Sequence, residues 1–363
     1  MELSDGLERG IRMLEFRTGT GLRFTVLIDR AMDICEVEFK GQSIGWHGPS
    51  GLRHPGLHEH ASEGGFSWGR SFTGFLMTCG LDHIGGPEVV PADTYNYPGI
   101  LTKRHGLHGR VSTIPGKLTG YGERWEGDRC ILWAEGDVRQ AATFGEQLTL
   151  RRRIEVDLGG NEIRLSDQVA NTGFLPTPHM FFYHIIIGHP VLAAGSRYLA
   201  PITDVVWAAH EPRYRAQGVG YRTIPGPKDS FVDLVWQHEA APDAAGEVPV
   251  SVVNDRIGLG IEVTTRKDQL PCLYEWQHFQ AGGYALGIEP STHHALGDLA
   301  ARKRGEMIWL QGPQSRCYDS RFRFLDGAAE IAASEARIRA IAQQPLDDFP
   351  QPSGKFRDLA GRG

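Results

Sequence analysis

The amino-acid sequence predicts an all-β protein, a large antiparallel two-sheet sandwich with a short helix near its C-terminus. First, apolar and polar residues alternate over many short segments, as in strands with one buried and one solvated face. Second, helical spacing of apolar residues is almost absent until the end of the chain. Third, long connections rich in glycine, proline and histidine separate the segments, which is typical of antiparallel β architectures.

The predicted elements follow in order along the chain. Alternation is clearest over residues 22–28, 147–156 and 163–169. Because the turn residues 157–161 separate the last two segments, these two predict a β-hairpin. Residues 332–343, rich in Ala, Glu and Arg, predict a terminal helix packed on a sheet. Further predicted strands are 34–39, 130–138, 250–254, 259–264, 284–289, 307–310 and 321–325.

No internal segment has the composition of a linker between domains. Residues 239–248, rich in Ala, Pro, Asp and Gly, come nearest, and a long hairpin loop accounts for them equally well. We therefore expect one domain over residues 1–344. Residues 345–363 mix Pro, Asp, Gly and Lys and predict a C-terminal tail.

The composition excludes several classes of function. The 363 residues carry 38 Lys and Arg against 44 Asp and Glu, a net charge of −6, which favours neither nucleic acid nor an anionic membrane as a partner. No apolar run approaches the roughly 18 residues of a membrane span, and the first residues lack a signal-peptide pattern. The 5 cysteines form no CxxC motif and predict reduced thiols rather than disulfides. A cytoplasmic protein is expected.

The 15 histidines include several clustered in four segments, 54–60, 78–87, 105–110 and 179–189. His58 and His60 would lie on one face of an extended backbone, and a metal site would need a third ligand from elsewhere. Because almost any other histidine could supply that ligand, a solvated loop is the favoured interpretation of this segment.

His105 and His108 lie in a loop with Gly106 and Gly109. Glycine lets the backbone approach a ligand closely, and Arg110 adds a fork of donors that suits oxygen-rich ligands. An anion, a sugar and a metal all fit this pattern, and so does a structural turn.

His184 and Glu289 each interrupt or end an apolar strand. An imidazole in the most apolar segment, 181–187, costs free energy unless it has a partner. Glu289 precedes Pro290, which favours an extended backbone at a strand end and a carboxylate at a cleft mouth. Two structural interpretations also stay open: His184 as a hydrogen-bonded core residue, and Glu289 as a surface residue at the end of a strand.

One motif match is discounted. Residues 65–69 fit Gly-x-Ser-x-Gly, but a nucleophile elbow needs a strand before it and a helix after it, and the flanking residues favour neither. A Walker loop and a His-Glu-x-x-His motif are absent from the sequence. Neither serine-hydrolase nor nucleotide chemistry is indicated.

Five motifs in order resemble the aldose 1-epimerase (galactose mutarotase-like) superfamily, and in particular a poorly characterised branch of it. They are Arg30 to Ile34, Thr78 to Leu81, His108 to Arg110, Tyr183-His184 and Gly287 to Pro290. Each motif is weak alone, but together they span residues 30–290, most of the chain. The resemblance implies an antiparallel supersandwich with an open sugar cleft.

The resemblance also implies a reaction and residues for it. His184 would donate a proton to the sugar ring oxygen, and Glu289 would remove the proton of the anomeric hydroxyl, so that the ring opens and closes as the other anomer. His108 would contact the sugar. A neutral polyol needs no metal and no cofactor for this chemistry, and none is predicted. The residues expected to bind substrate are His108, Arg110, His83, Arg30, Asp82, Trp276 and Tyr183.

The sequence also departs from galactose mutarotases. Residues 183–188 lack the Asn-flanked pattern around the acid histidine, and Asp229 and Asp233 are only loose counterparts of a sugar-binding aspartate. The partner is expected to be a small-molecule carbohydrate of unassigned identity, with a sugar acid suiting the many His and Arg residues, and a homodimer is left open. Two alternatives also stay open: a carbohydrate-binding protein without turnover, and a metal-dependent sugar isomerase or lyase that uses His58, His60, His83, His105 and His108.

Overall fold

Two large sheets share one apolar core in the computed structural model, which describes residues 1–206 and 215–350. The strands of the first half are β1 (Met13–Arg17), β2 (Leu22–Leu27), β3 (Asp33–Phe39), β4 (Gln42–Ser43), β5 (Leu76–Leu81), β6 (Glu88–Pro91), β7 (Thr102–His105), β8 (Lys117–Glu126), β9 (Arg129–Ala141), β10 (Gln147–Asp157) and β11 (Glu162–Asn171). Those of the second half are β12 (Thr177–Ile187), β13 (Arg197–Leu199), β14 (Ile202–Val206), β15 (Leu234–Ala240), β16 (Glu247–Asn254), β17 (Leu259–Arg266), β18 (Cys272–His278), β19 (Ala285–Ser291), β20 (Ile308–Leu310) and β21 (Ser315–Asp326). Two α-helices lie wholly within the described residues, α1 (Asp298–Lys303) and α2 (Gly327–Ile341).

The strands pair antiparallel in four sheets. An eight-stranded sheet has the order β13-β16-β17-β21-β11-β10-β9-β8, and a seven-stranded sheet has the order β14-β15-β18-β19-β12-β20, with β5 also paired to β12. Strands β1 to β4 form a four-stranded sheet, and β6 pairs with β7. The predicted all-β antiparallel class is confirmed.

The strand β12 is buried on both faces, unlike β10 and β11 of the eight-stranded sheet, in which buried and less buried residues alternate. Its inner face contacts the core shared by the two large sheets. Its outer face, turned away from the eight-stranded sheet, is covered by a segment we call the cover, residues 54–73. The cover contains short 3-10 helices at Pro55–Leu57, Glu63–Gly65 and Ser67–Ser71.

The predicted hairpin and terminal helix are both confirmed. Val156 of β10 faces Ile163 of β11 across the turn. Helix α2 begins five residues before the predicted start and buries Ile331, Ser334 and Ile338 on one face. The early turns were missed because Gly327 to Ala329 carry no apolar spacing, although Asp326 provides an N-cap position.

The segment 239–248 is neither a linker nor a hairpin loop. Its two ends belong to β15 and β16, which lie in different sheets, so it crosses from one sheet to the other. Several strands lacked a clear sequence signal for a physical reason. The edge strand β8 is largely exposed, whereas β5 is buried on both faces, and in neither case does burial alternate.

The first residues of the predicted tail pack against the body of the protein. Arg222 Nε donates to Asp348 Oδ1 at 3.0 Å, and Phe349 lies against Trp236. The remainder of the tail, residues 351–363, lies outside the described residues. Within residues 1–206 and 215–350, no helix is long and apolar enough to cross a membrane.

Candidate active site

Strands β12 and β19 bring His184 and Glu289 together on the outer face of the seven-stranded sheet. The register pairs Ile185 with Ile288, so the next residues along the two antiparallel strands, His184 and Glu289, stand opposite each other. His184 Nε2 lies 3.0 Å from Glu289 Oε1, and the side chains are 5% and 9% exposed. A titratable pair is therefore held on two central strands with little access for bulk water.

Alternation along β12 decides which side chains reach this face. Phe181 and Tyr183 point into the core between the large sheets. Phe182 and His184 point the opposite way, toward the cover. The Tyr183 hydroxyl donates to Asp167 Oδ2 at 2.6 Å on the inner face. The structure thus places Tyr183 on the far side of the strand from His184 and does not bring it to the site.

The pair has unused hydrogen-bonding capacity. Although they are close, no hydrogen bond joins the two side chains: among the described residues, the buried atoms Glu289 Oε1 and His184 Nδ1 have no hydrogen-bond partner. Buried polar atoms in proteins normally have a partner, so this arrangement suits a polar ligand. Gly287 leaves room for it, since a Cβ there would stand 2.8 Å from Glu289 Oε1.

Aromatic rings surround the His184 imidazole. The ring centroids of Phe72, Trp276 and Trp68 lie 4.7, 5.2 and 5.8 Å from that of His184. Trp276 projects from β18, directly across the ladder from Gly287. Rings of this kind combine an apolar face for sugar C–H groups with exclusion of water. The enclosure therefore suits a carbohydrate.

His108 reaches the same cluster from the loop 105–110. Its ring centroid lies 6.3 Å from that of His184, and its backbone is left-handed with φ of 57°. The backbone N–H of Gly85 donates to His108 Nδ1 at 3.3 Å. Burial, followed by the charges of His184 and His83, lowers the pKa of His108 well below its usual value. A neutral His108 that accepts at Nδ1 carries its proton on Nε2, and so offers a donor.

Asp233 joins the cluster through Trp276. It accepts a hydrogen bond from the indole Nε1–H at 3.1 Å and also contacts His278 Nδ1. The His278 ring stacks on that of Trp276 at 5.4 Å. Of the two loose counterparts of a sugar-binding aspartate, the structure brings Asp233 to the site and leaves Asp229 exposed elsewhere on the loop.

The two arginines expected to bind substrate lie at opposite ends of the cover. Arg30 is 1% exposed, and its Nη1 donates to the Thr73 carbonyl at 3.4 Å. Thr73 follows Phe72, which contacts His184. Arg110 lies close enough to His60 for its charge, after burial, to lower the pKa of His60 to about 4. Each arginine thus contacts or lies near one end of the cover rather than the pair His184–Glu289 itself.

Asp82 and His83 have other partners. Asp82 forms a buried ion pair with Lys103, which also contacts Glu146 at 2.8 Å. Burial alone would raise the pKa of Asp82, but the charge of Lys103 lowers it well below its usual range. His83 stacks on His105 at 4.4 Å. The Asp82 carboxylate is thus already paired with a lysine, and its role in binding substrate stays a prediction.

The histidine-rich segments do not converge on one point. His58 and His60 are neighbours with ring centroids 6.3 Å apart, whereas His83 and His105 form the separate stack and His108 lies beside His184. Across the described part of the chain, no group of three or more His, Cys, Asp or Glu side chains is arranged to hold a metal ion.

Sequence reasoning missed the residues that enclose the site. Trp68 and Phe72 lie in the cover, and Trp68 falls within the discounted Gly-x-Ser-x-Gly match, which forms 3-10 helices rather than an elbow. His278 also went unrecognised. One usable signal was Gly287 inside an apolar strand, since such a glycine often marks a close approach. No local pattern marks the aromatic residues.

Comparisons with solved structures show the same architecture. A candidate aldose 1-epimerase from Klebsiella pneumoniae subsp. pneumoniae MGH 78578 superimposes with a TM-score of 0.85 at 24% identity, covering 94% of this chain and 86% of that one. The Slr1438 protein of Synechocystis sp. PCC 6803 gives 0.59 at 16% identity, covering 90% and 100%. The GalM/aldose epimerase homologue from C. elegans gives 0.55 at 13%, covering 88% and 100%. At these identities the likeness establishes the fold alone.

A search of curated proteins finds no match. The family model described as "Domain of unknown function (DUF4432)" matches residues 8–323, which is most of the chain. The fold is thus that of the aldose 1-epimerase and galactose mutarotase-like proteins, and the chain belongs to the DUF4432 family.

Proposed function

We propose that this protein is an isomerase that interconverts the anomers of a monosaccharide or a sugar derivative. The observation that carries the proposal is the pair His184–Glu289, with Nε2 and Oε1 3.0 Å apart, both side chains buried, and one buried atom of each, His184 Nδ1 and Glu289 Oε1, without a hydrogen-bond partner in the described chain. The names of the structural neighbours point to the same class of reaction.

The chemistry needs one acid and one base near a single carbon. Glu289 takes the proton of the O1 hydroxyl while His184 gives a proton to the ring oxygen O5, and the C1–O5 bond breaks to leave the open-chain aldehyde. Rotation about C1–C2 presents the other face of the carbonyl, and the reverse proton transfers close the ring. O1 and O5 are both bonded to C1, so two catalytic groups on adjacent strands can reach both oxygens.

The remaining cluster residues bind and orient the sugar. His108 donates from Nε2 to a hydroxyl, and Asp233 accepts from another hydroxyl while it holds the Trp276 indole. The Trp276 ring packs on the C–H face of the sugar. Because the rings of Trp68 and Phe72 exclude water, electrostatic interactions within the site are strengthened.

The test is NMR magnetisation exchange between α and β anomers, across a panel of aldoses, deoxysugars, uronic acids and sugar phosphates. Glu289→Gln and His184→Gln should each reduce the accelerated exchange by about 10²- to 10⁴-fold with thermal melting preserved. The exposed residues Glu126 and His47 provide matched controls, Glu126→Gln and His47→Gln, which should leave the rate unchanged.

Two results would count against the proposal. Near-normal exchange in both site variants would overturn the residue assignment. Sugar binding with no acceleration of exchange for any panel member would identify a carbohydrate-binding protein instead.

A further inference from the structure

Three arginines around the cover lack a carboxylate partner. Among the described residues, no ion pair involves Arg30, Arg53 or Arg110. The nearby acids have other cations: Asp29 pairs with Arg12, and Asp82 pairs with Lys103. In the described chain, these three guanidinium groups are therefore not engaged by a carboxylate.

Arg30 is the most telling of the three. Its guanidinium is almost fully buried, yet Nε and Nη2 have no hydrogen-bond partner in the described chain. The charge of Arg30 acts on nearby Asp33, whose pKa it lowers against the larger effect of burial. The Asp33 carboxylate, however, already accepts from Arg152 Nη1 at 2.7 Å and from the Thr78 hydroxyl at 2.6 Å. A buried guanidinium with two free donors implies a missing acceptor.

Arg53 and His58 share this environment. Leu52, next to Arg53, packs against a cluster that includes Leu27. The Leu27 carbonyl accepts from the Arg30 backbone N–H at 3.1 Å. Burial, then the charges of Arg53 and Arg30, lower the pKa of His58, so His58 is neutral at pH 7. Arg53 Nε and His58 Nε2 are also buried atoms without a partner. The three residues thus supply four unpartnered nitrogens in one region of the fold.

The cluster is continuous with the catalytic pair through the cover. At one end, Thr73 accepts from Arg30 and its neighbour Phe72 contacts His184. At the other end, His60 accepts from the Gly106 N–H in the loop that carries His108. The same segment therefore contacts both Arg30 and His184.

We propose that Arg30, Arg53 and His58 form an anion-binding subsite, and that the sugar carries an oxyanion, a carboxylate or a phosphate. The planar guanidinium fork binds either oxyanion in bidentate fashion, and neutral His58 donates from Nε2. This specificity rests on the proposed function, because it identifies the substrate class of the same cleft.

The first experiment uses inorganic phosphate and acetate as sugar-free probes of the full chain. Histidine ring resonances are followed by NMR, with His58→Gln used to assign the His58 signal. Either anion should shift this signal in a saturable manner, and Arg53→Gln should weaken that binding at least tenfold. Arg139→Gln, at an exposed arginine of β9 without an ion pair, should not. Arg53 is chosen over the fully buried Arg30 so that folding, checked by thermal melting, is retained.

The second experiment measures affinity for matched sugars by calorimetry: galactose against galacturonate, and glucose against glucuronate and glucose 6-phosphate. An anionic sugar should bind at least tenfold more tightly than its neutral partner, and Arg53→Gln should remove most of that difference. The uronate and phosphate arms distinguish the two oxyanions.

The outcomes separate the two proposals. Equal affinity for neutral and anionic sugars, or no effect of Arg53→Gln, overturns the anion-binding subsite. The isomerase proposal is then still decided by anomer exchange on neutral sugars. Arg53-dependent binding of anionic sugars with no anomer exchange supports the subsite and overturns the isomerase. Failure of the probes and of every anionic sugar to bind overturns the subsite.

Discussion

Gly287 lies between the two proposed catalytic groups on the sheet surface. A Cβ atom added there would stand 2.8 Å from Glu289 Oε1, 3.1 Å from His184 Cε1 and 3.2 Å from the Trp276 Cβ. All three distances are shorter than an ordinary van der Waals contact. The absence of a side chain at this position is therefore what lets a carboxylate, an imidazole and an indole lie so close together.

Replacing this glycine tests the geometry at the scale of one methyl group. Gly287→Ala should lower anomer exchange by about 10- to 100-fold, because a displacement of this size in the reacting groups misaligns them. Gly122→Ala on β8 is the control, since its nearest neighbour would be 3.9 Å away. Exchange rates from NMR and melting temperatures would be compared, and an unchanged rate in Gly287→Ala would contradict the proposed arrangement.

At the scale of elements, a buried arginine joins strands of three sheets beneath the site. Arg152 of β10 is fully buried and contacts both carboxylate oxygens of Asp167 on β11, at 2.9 and 2.6 Å. It also donates to Asp33 of β3 at 2.7 Å and to Thr78 of β5 at 2.6 Å. Since Asp167 in turn accepts from Tyr183, this network orients β12 so that His184 faces outward.

Removal of the arginine should be far more costly than removal of its exposed neighbour. Arg152→Met leaves two buried carboxylates without their cation and should lower the free energy of unfolding by about 3 to 5 kcal/mol. Arg151→Met, on the same strand, breaks only an exposed ion pair with Asp137 and should cost at most about 1 kcal/mol. Urea unfolding measures both, and similar losses in the two variants would refute this account.

At the scale of the whole molecule, burial keeps several histidines neutral. It lowers the pKa values of His105 and His179 to about 3 and those of His60 and His294 to about 4. His179 is the simplest case: Nδ1 donates to the Leu81 carbonyl, and the Tyr318 hydroxyl donates to Nε2 at 2.6 Å. In the pair His238–Glu275, burial raises the pKa of the glutamate and lowers that of the histidine. The two residues therefore change the stability of the folded protein in opposite directions as the pH falls.

These shifts predict acid sensitivity. Histidine in the unfolded chain titrates near pH 6.5, and His179 in the folded protein titrates near 3, so between these values the unfolded state binds the additional proton. Stability should then fall as pH decreases below about 6.5, by about 1.4 kcal/mol per pH unit for each such histidine. Urea unfolding from pH 7 to pH 5 gives the slope of the free energy of unfolding against pH. In His179→Gln this slope should be smaller than in the unsubstituted protein by the contribution of one proton, about 1.4 kcal/mol per pH unit. In His47→Gln it should be unchanged. An identical slope in all three proteins would show that His179 is not the group responsible.

Part of the candidate site was predictable because its signal is local. His184 and Glu289 disturb apolar strands, and such a disturbance is visible in a few consecutive residues. Tyr183 shares a motif with His184 but points to the other face, and Asp82 is neutralised by a lysine about twenty residues away in sequence. Neither fact has a local signature, because each depends on which strand lies alongside.

The sequence by itself determined the antiparallel β class, the hairpin at residues 157–161 and the terminal helix, because period-two alternation, turn residues and helix propensity act over a few neighbours. Only the tertiary structure decided that β12 and β19 lie side by side and that the cover packs over His184 with Trp68 and Phe72. It also decided that Arg30 forms no ion pair with a carboxylate of the described residues. These are contacts between segments far apart in the chain, and packing of the two sheets, rather than any local preference, selects them.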